Sequence, residues 1–284
     1  MSNNPLKSHF RAPKLFTRLP SGGAFYSEGV VDLSETNEIE IYAMTSRDEI
    51  LMRNPDALLN GESVSQIISS CAPAINKPRE LLGADVDAIM VAIQGATYGD
   101  EVRVETPCPE CGNSVVGAGS VQASLATMKM VPQDIKVETD AGLVIELRPV
   151  TYETTIAAGV SNFQNARSMQ SIVDIKDDLE KLKAFNESYM KMAELNFLVI
   201  LDSIYSISGT DDNGEEFIVT DRTNIREYME NVETSIGKQV TDQVNLLQEA
   251  GIDKTVKIQC QEEACGHIFE TNLEFDPVNF STAS

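Results

Sequence analysis

Tryptophan is missing from these 284 residues, and aromatic residues make up only 6% of them. A stacking platform for nucleobases therefore has little to be built from. Histidine is almost missing too: His9 and His267 are the only two, which leaves few groups for proton transfer near neutral pH. Basic residues number 22 against 44 acidic ones, a formal net charge of −22, and the acidic residues are spread along the chain. Such a field repels phosphate backbones and argues against nucleic acid as a partner; the plainer reading is a solubilising acidic surface. The sequence has no apolar run of about 18 residues, so no membrane span is expected, and the opening Met1-Ser2-Asn3-Asn4-Pro5-Leu6-Lys7 lacks the apolar stretch of a secretory signal. The expectation is a protein made and assembled in a cytoplasm. There is no phosphate-cradling glycine loop and no HExxH, and the many carboxylate pairs have no context that would set a pKa, so an enzyme is not expected.

What is present is a cysteine pattern. Four of the five cysteines form two short pairs, Cys108-Pro109-Glu110-Cys111 and Cys260-Gln261-Glu262-Glu263-Ala264-Cys265, each closed by a glycine and each preceded by an alternating apolar/polar run. A hairpin that offers two thiolates to one metal ion has this appearance, and two such knuckles, about 150 residues apart, complete one tetrahedral zinc site. Disulfides are the competing use of these thiols if the mature particle lives outside a cell. His267 is an alternative ligand to Cys265. Four protein ligands leave no open position for water, so the metal is expected to hold structure rather than activate a nucleophile. Cys71 lies on an apolar stripe with Val64, Ile67 and Ile68 and reads as a core thiol.

Composition, 42% hydrophobic and 23% charged, suits one large folded domain or two ordinary ones. Residues 1–37 hold Pro5, Pro13, Pro20 and Gly22-Gly23 with the basic cluster Lys7, Arg11, Lys14 and Arg18, and read as an extended N-terminal arm that grips neighbours or lies on its own body. Residues 38–130 read as a first α+β half ending in the first knuckle. In it, a strand over 38–44 leads to a helix capped at Thr45 or Ser46, and Asp85–Gln94 forms a central helix. Residues 131–284 read as a helix-rich second half ending in the second knuckle. Helices are expected over Leu179–Ile207, packed on several sides, and over Thr234–Gln248, with a cap at Thr220 or Asp221. Asp211-Asp212-Asn213-Gly214 looks superficially like a calcium loop but lacks the ligand alternation and reads as a solvated turn. The run Ile145–Thr151 matches Ile39–Thr45 at three of seven positions, each a strand giving way to a Thr-headed helix. The fold class is thus α+β: a mostly helical body with short strands, in two similar strand-to-helix halves joined by a zinc-ribbon-like four-cysteine site.

Four runs in order, Leu19-Pro20-Ser21-Gly22-Gly23-Ala24-Phe25-Tyr26, Met44-Thr45-Ser46-Arg47-Asp48-Glu49-Ile50-Leu51, Asn54-Pro55-Asp56-Ala57-Leu58-Leu59-Asn60-Gly61, and Ala96-Thr97-Tyr98-Gly99 ahead of the first knuckle, resemble the baseplate hub proteins of T-even-type contractile-tailed phages. The resemblance runs over about residues 15–115; from residue 140 onward it rests on the second strand-to-helix turn and the segment from Cys260 to Phe280. It implies a late protein of an infected bacterium, assembled in the host cytoplasm into the virion tail, with other baseplate and tail proteins as partners and several copies in a symmetric assembly. Some relatives are hub subunits and others non-virion assembly factors. The expected function is a structural hub subunit that holds neighbours through its arm and a zinc-stapled body, without nucleic acid or membrane. The alternatives are a hub assembly factor and a zinc-dependent nucleic-acid module.

Overall fold

The computed structural model describes residues 10–273 apart from 55, 56, 58, 59, 173–176, 212 and 263. The chain divides into two compact units, one of Met1–Pro78, Ala84–Met130 and Gly251–Ser284, the other of Arg79–Gly83 and Val131–Ala250. The closing stretch, expected to finish a second half over 131–284, is thereby grouped with the first unit.

In the first unit, β1 (Pro13–Arg18) pairs antiparallel with β2 (Glu38–Tyr42), from Pro13↔Tyr42 to Arg18↔Glu38. The alternation of β2 turns Ile39 and Ile41 into the core while Glu40 stays outside. The expected extended arm over 1–37 is therefore, from β1 onward, part of the body; residues 1–9 lie outside the described residues. Two forces commit it. Leu19 and Val30 are buried, and Arg11 and Arg18 of the basic cluster are used internally. Arg11 Nη1 donates to Ala43 O at 2.5 Å and lies 3.5 Å from the Asp48 carboxylate, Nη2 donates to Ser70 Oγ at 2.8 Å, and Arg18 pairs with Glu38 at 3.5 Å.

The Ser21-Gly22-Gly23 run is a tight turn with φ of 62° and 82° at its glycines, where a Cβ on Gly23 would lie 2.3 Å from Leu33 Cδ1. The turn points Ser21 at Asp85, in the first turn of α3 (Gly83–Tyr98; α1 and α2 precede it and are given below). Asp85 Oδ1 accepts the Ser21 N–H at 2.8 Å, and Oδ2 accepts the hydroxyls of Ser21 and Tyr26. Asp85 is fully buried. Burial raises its pKa, and the Ser21 and Tyr26 donors offset this only in part.

Helix α1 (Ser46–Met52) starts at Thr45 with a capping box: Thr45 Oγ1 accepts the Asp48 N–H at 3.3 Å and the Asp48 carboxylate accepts the Thr45 N–H at 2.8 Å. Helix α2 (Glu62–Cys71) buries Ile67, Ile68 and Cys71. Cys71 is a core thiol, its pKa pushed up first by burial and next by the Asp48 charge. Helix α3 buries Val86 and every residue from Ala88 to Gln94, so it is central to this unit, as its near-continuous apolar run predicts.

The second unit is built on a four-stranded antiparallel sheet. Its strands β5 (Ile135–Glu138), β6 (Val144–Leu147), β7 (Ile204–Thr210) and β8 (Glu216–Val219) lie in sequence order, and β3, β4, β9 and β10 belong to the first unit. Between β6 and β7 run α5 (Tyr152–Ile172) and α6 (Asp178–Ser203), which pack on each other. After β8 come α7 (Arg222–Asn231), capped by Asp221, and α8 (Thr234–Gln248), which buries Val240, Val244 and Leu247; α4 (Val121–Ala126) is a short helix of the first unit. Arg222 Nη1 donates to Leu201 O at 2.9 Å and Ile204 O at 2.6 Å, fastening α7 to the end of α6.

Two expectations change here. The helix expected over Leu179–Ile207 stops at Ser203: Ile204 and Ser206 are buried on either side of exposed Tyr205, the alternation of a strand, and Ile204 and Ile207 are β-branched. α6 packs on α5, α7, α8 and β7, but of the run Leu195–Leu201 only Leu201 is fully buried, while Leu195, Phe197, Val199 and Ile200 are half-buried and Leu198 is exposed. The Asp211 loop is a turn: its carboxylate accepts the N–H groups of Asn213 and Glu215, each at 2.9 Å, and the Glu215 N–H leads in lowering its pKa. Both Thr-headed turns exist, since Thr151 Oγ1 accepts the Thr154 N–H at 3.4 Å much as Thr45 accepts that of Asp48. The likeness is local: β2 belongs to a two-stranded sheet and β6 to the four-stranded one.

Candidate metal centre

Each cysteine pair sits in the turn of an antiparallel hairpin in the first unit. β3 (Glu101–Pro107) and β4 (Ser114–Ser120) carry Cys108 and Cys111 between them. β9 (Thr255–Gln259) and β10 (Ile268–Asn272) carry Cys260 and Cys265. The first turn is closed by Cys108 N–H to Asn113 O and Gly112 N–H to Cys108 O, both 2.8 Å. The second is closed by Cys260 N–H to His267 O at 2.8 Å and Cys265 N–H to Glu262 O at 2.9 Å. Gly112 and Gly266, at φ of 74° and 57°, explain why each pair closes on glycine: the chain must reverse in the left-handed region immediately after the second thiol.

The hairpins meet where glycine lets them. β4 packs against β9, and a Cβ on Gly117 would stand 2.1 Å from Ile258 Cγ2, while one on Gly119 would stand 2.8 Å from Leu273 Cδ2. Cys108, Val115, Ile258 and Cys260 form one buried cluster, with Cys265 and Phe269 packed on it. A second cluster, Val91, Val102, Val104, Val121 and Leu273, joins the base of the same hairpins to α3. Polar bonds also cross between the two turns: Asn113 Nδ2 donates to Glu262 Oε2 at 3.3 Å and Gln261 Nε2 to Val116 O at 3.4 Å.

This packing brings all four sulfurs within 4.8 Å of one another, with Cys108–Cys265 at 3.9 Å and Cys111–Cys260 at 3.7 Å. In a tetrahedral site with metal–sulfur bonds of ~2.3 Å, neighbouring sulfurs lie about 3.8 Å apart. The observed spacing fits that edge, and it is far longer than the ~2.05 Å of a disulfide. All four thiols are free. Their proton affinities diverge as expected of crowded groups. Burial raises that of Cys108, but the N–H groups of Cys111 and Glu110 outweigh it and bring its pKa to about 7. At Cys265 the His267 N–H favours the thiolate, yet burial and the three neighbouring sulfurs prevail and push the pKa up to about 12. Four thiolates at this spacing repel one another; a cation at their centre removes the repulsion, which is why this donor set binds soft or borderline metals. His267 stands beside Phe269, ring centroids 6.0 Å apart and nearly parallel, while Cys265 supplies its sulfur to the cluster.

All four cysteines singled out from the sequence thus come together. What the spacing of cysteines does not reveal is the support around them: Gly117, Gly119 and Ile258 at the hairpin contact, and Asn113, Gln261 and Glu262 across the turns. The signal for the first of these was there, in two glycines at alternate positions of one strand, which mark the close approach of another backbone.

A family profile described as T4 bacteriophage base plate protein matches residues 14–280. No curated protein and no solved structure matches the chain. Among the described residues, no helix is long and apolar enough to cross a membrane.

Proposed function

This chain belongs to the T4 bacteriophage base plate protein family, and from that premise we propose that it is a structural subunit of a phage tail baseplate hub, with zinc held by Cys108, Cys111, Cys260 and Cys265. The observation that carries the mechanical part is the meeting of four sulfurs from two hairpins 149 residues apart. Zinc is the metal of choice for a closed four-thiolate site that must hold shape without redox chemistry. With every coordination position taken by protein, the ion binds no water to activate, so its task is to fix the two hairpins against each other and against α3. A contractile tail needs stiff parts around its moving interfaces, and a staple that closes the first unit across its longest chain excursion supplies stiffness where local hydrogen bonds cannot. Because Arg11, Arg18 and the Ser21 turn are bound within their own unit, the stretch from residue 10 onward belongs to the folded body through which neighbours in the tail are held. The family supports other tail proteins as partners and the virion tail as the location.

The test is quantitative mass spectrometry of purified particles together with elemental analysis of the natively purified chain. A hub subunit remains in the particle at fixed stoichiometry and carries one zinc per chain. Loss of the chain from finished particles would point instead to an assembly factor for the hub, and absence of zinc would remove the staple.

A further inference from the structure

The four thiols of the metal centre differ in what can reach them. Cys111 is exposed and Cys265 half-buried, while Cys108 and Cys260 are only 2% and 4% exposed. Each accessible thiol stands beside a buried one of the other hairpin: Cys111 Sγ lies 3.7 Å from Cys260 Sγ, and Cys265 Sγ 3.9 Å from Cys108 Sγ. An accessible thiolate with a second thiol poised next to it is the arrangement of a redox-responsive pair, in which the first is oxidised and the second resolves it. Here the arrangement occurs twice in one cluster, and both times it spans the two hairpins. A disulfide needs sulfurs ~2.05 Å apart. The gap to close is about 1.7–1.9 Å, or less than ~1 Å for each sulfur, a movement on the scale of a side-chain rotation rather than of a strand.

The hairpins hold these thiols together by contacts that need no metal. Gly117 and Gly119 seat Ile258 and Leu273, and the Asn113–Glu262 and Gln261–Val116 hydrogen bonds cross between the turns, so the pairs stay within reach when the ion leaves. Resting on the zinc staple described above, we propose that the centre is also an oxidation site, where a hydroperoxide expels the metal and leaves two disulfides between the hairpins, Cys111–Cys260 and Cys108–Cys265. The Cys111 thiolate attacks the O–O bond of hydrogen peroxide and becomes a sulfenic acid as hydroxide leaves, and so gives up its place on the metal. The Cys260 thiolate then attacks the Cys111 sulfur, the S–S bond forms, and a second hydroxide leaves; each hydroxide takes a proton to become water. Two electrons pass from sulfur to peroxide. A second peroxide does the same at Cys265 and Cys108, so four thiolates, two peroxides and four protons give two disulfides, four waters and free Zn²⁺, whose own oxidation state never changes.

The pairing decides the mechanical outcome. A bond within one turn, Cys108 to Cys111 or Cys260 to Cys265, ties nothing across. A bond from Cys111 to Cys260 closes the same 149-residue excursion as the metal does. A tail subunit is assembled in a reducing cytoplasm, where thiolates persist and hold metal, and is later carried into an oxidising medium. Across that change the staple alters its chemistry and keeps its connectivity.

The zinc-loaded full chain, freed of reductant, is the material for the test. Its zinc content is measured first, and hydrogen peroxide is then added in steps to about two equivalents per chain. Released zinc is read with a coloured zinc chelator, disulfides by mass spectrometry of unreduced peptides after free thiols are alkylated, and the thermal midpoint by circular dichroism. The expected result is release of the bound zinc as the second equivalent is consumed, with peptides joined through Cys111–Cys260 and Cys108–Cys265. Cys71, buried in the core, should be alkylated only after unfolding. The oxidised, metal-free chain should melt within about 5 °C of the zinc-loaded one, whereas a reduced chain stripped by chelator should melt about 10–20 °C lower. In a chain that carried zinc at the start, disulfides confined to one turn, bonds between chains, sulfinic acids without any disulfide, or zinc retained after two equivalents would each overturn the inference and leave the staple standing. A chain that holds no zinc before peroxide is added refutes the staple itself, and this inference with it.

Discussion

Removing the metal should cost stability by an amount set by how much chain the site closes. Cys111 and Cys260 are 149 residues apart. Treated as a cross-link on the unfolded chain, a closure of that length removes loop entropy equivalent to about 5 kcal/mol at room temperature. For a chain of this size each kcal/mol moves the thermal midpoint by roughly 2–4 °C, so stripping the zinc is expected to lower it by about 10–20 °C. The assay is scanning calorimetry or far-ultraviolet circular dichroism before and after chelation, with zinc content measured on the same sample, followed by readdition of Zn²⁺ and, separately, Mg²⁺. Zn²⁺ should restore the midpoint and Mg²⁺, which prefers oxygen ligands, should not. If protein proven to have lost its zinc unfolds within about 2 °C of the loaded form, the entropic reasoning fails, since a shift that small corresponds to less than ~1 kcal/mol.

Four further outcomes are expected. Cys265→Ser should release the metal while His267→Ala retains it, read by zinc content after gel filtration, because the Cys265 sulfur is in the cluster and the His267 ring stands beside Phe269; the reverse result would make His267 the ligand. Gly117→Ala should destabilise by about 1–3 kcal/mol in urea denaturation, as its Cβ meets Ile258 Cγ2 at 2.1 Å, and in combination with Ile258→Ala the total should fall short of the sum of the single effects by ~1 kcal/mol. Asp85→Ala strands the N–H and the hydroxyl of fully buried Ser21 and removes the acceptor of the Tyr26 hydroxyl and should cost about 3 kcal/mol. The Asp85 carboxyl is raised above 3.8, chiefly by burial, so the unfolded chain gives up this proton first. Its contribution to stability is fully present below the unfolded pKa and declines as the pH rises through the folded one. Asp85→Asn cannot titrate, so its urea midpoint relative to wild type should improve as the pH is raised from about 4 toward neutrality.

The sequence by itself settled what depends on neighbours within a few residues. Helix α8 was legible because Val240, Val244 and Leu247 repeat at helical spacing ahead of Gly251; the Thr45 cap was legible because a capping box is a four-residue device. The four candidate metal ligands were legible because a knuckle is a short turn whose thiols and closing glycine lie close together in the chain. Contacts across long separations were settled only by the tertiary structure. Nothing in the local pattern says that Ser21 will bond Asp85, that Arg11 will be spent on Ala43, Ser70 and Asp48, or that the stretch from Gly251 onward will be grouped with the first unit. The same holds for α6, whose apolar circumference promised fuller burial than the described residues provide. Periodicity reports which side chains gain by leaving water; which surface receives them is decided by packing among segments far apart in sequence, a sum over the whole fold that no local window contains.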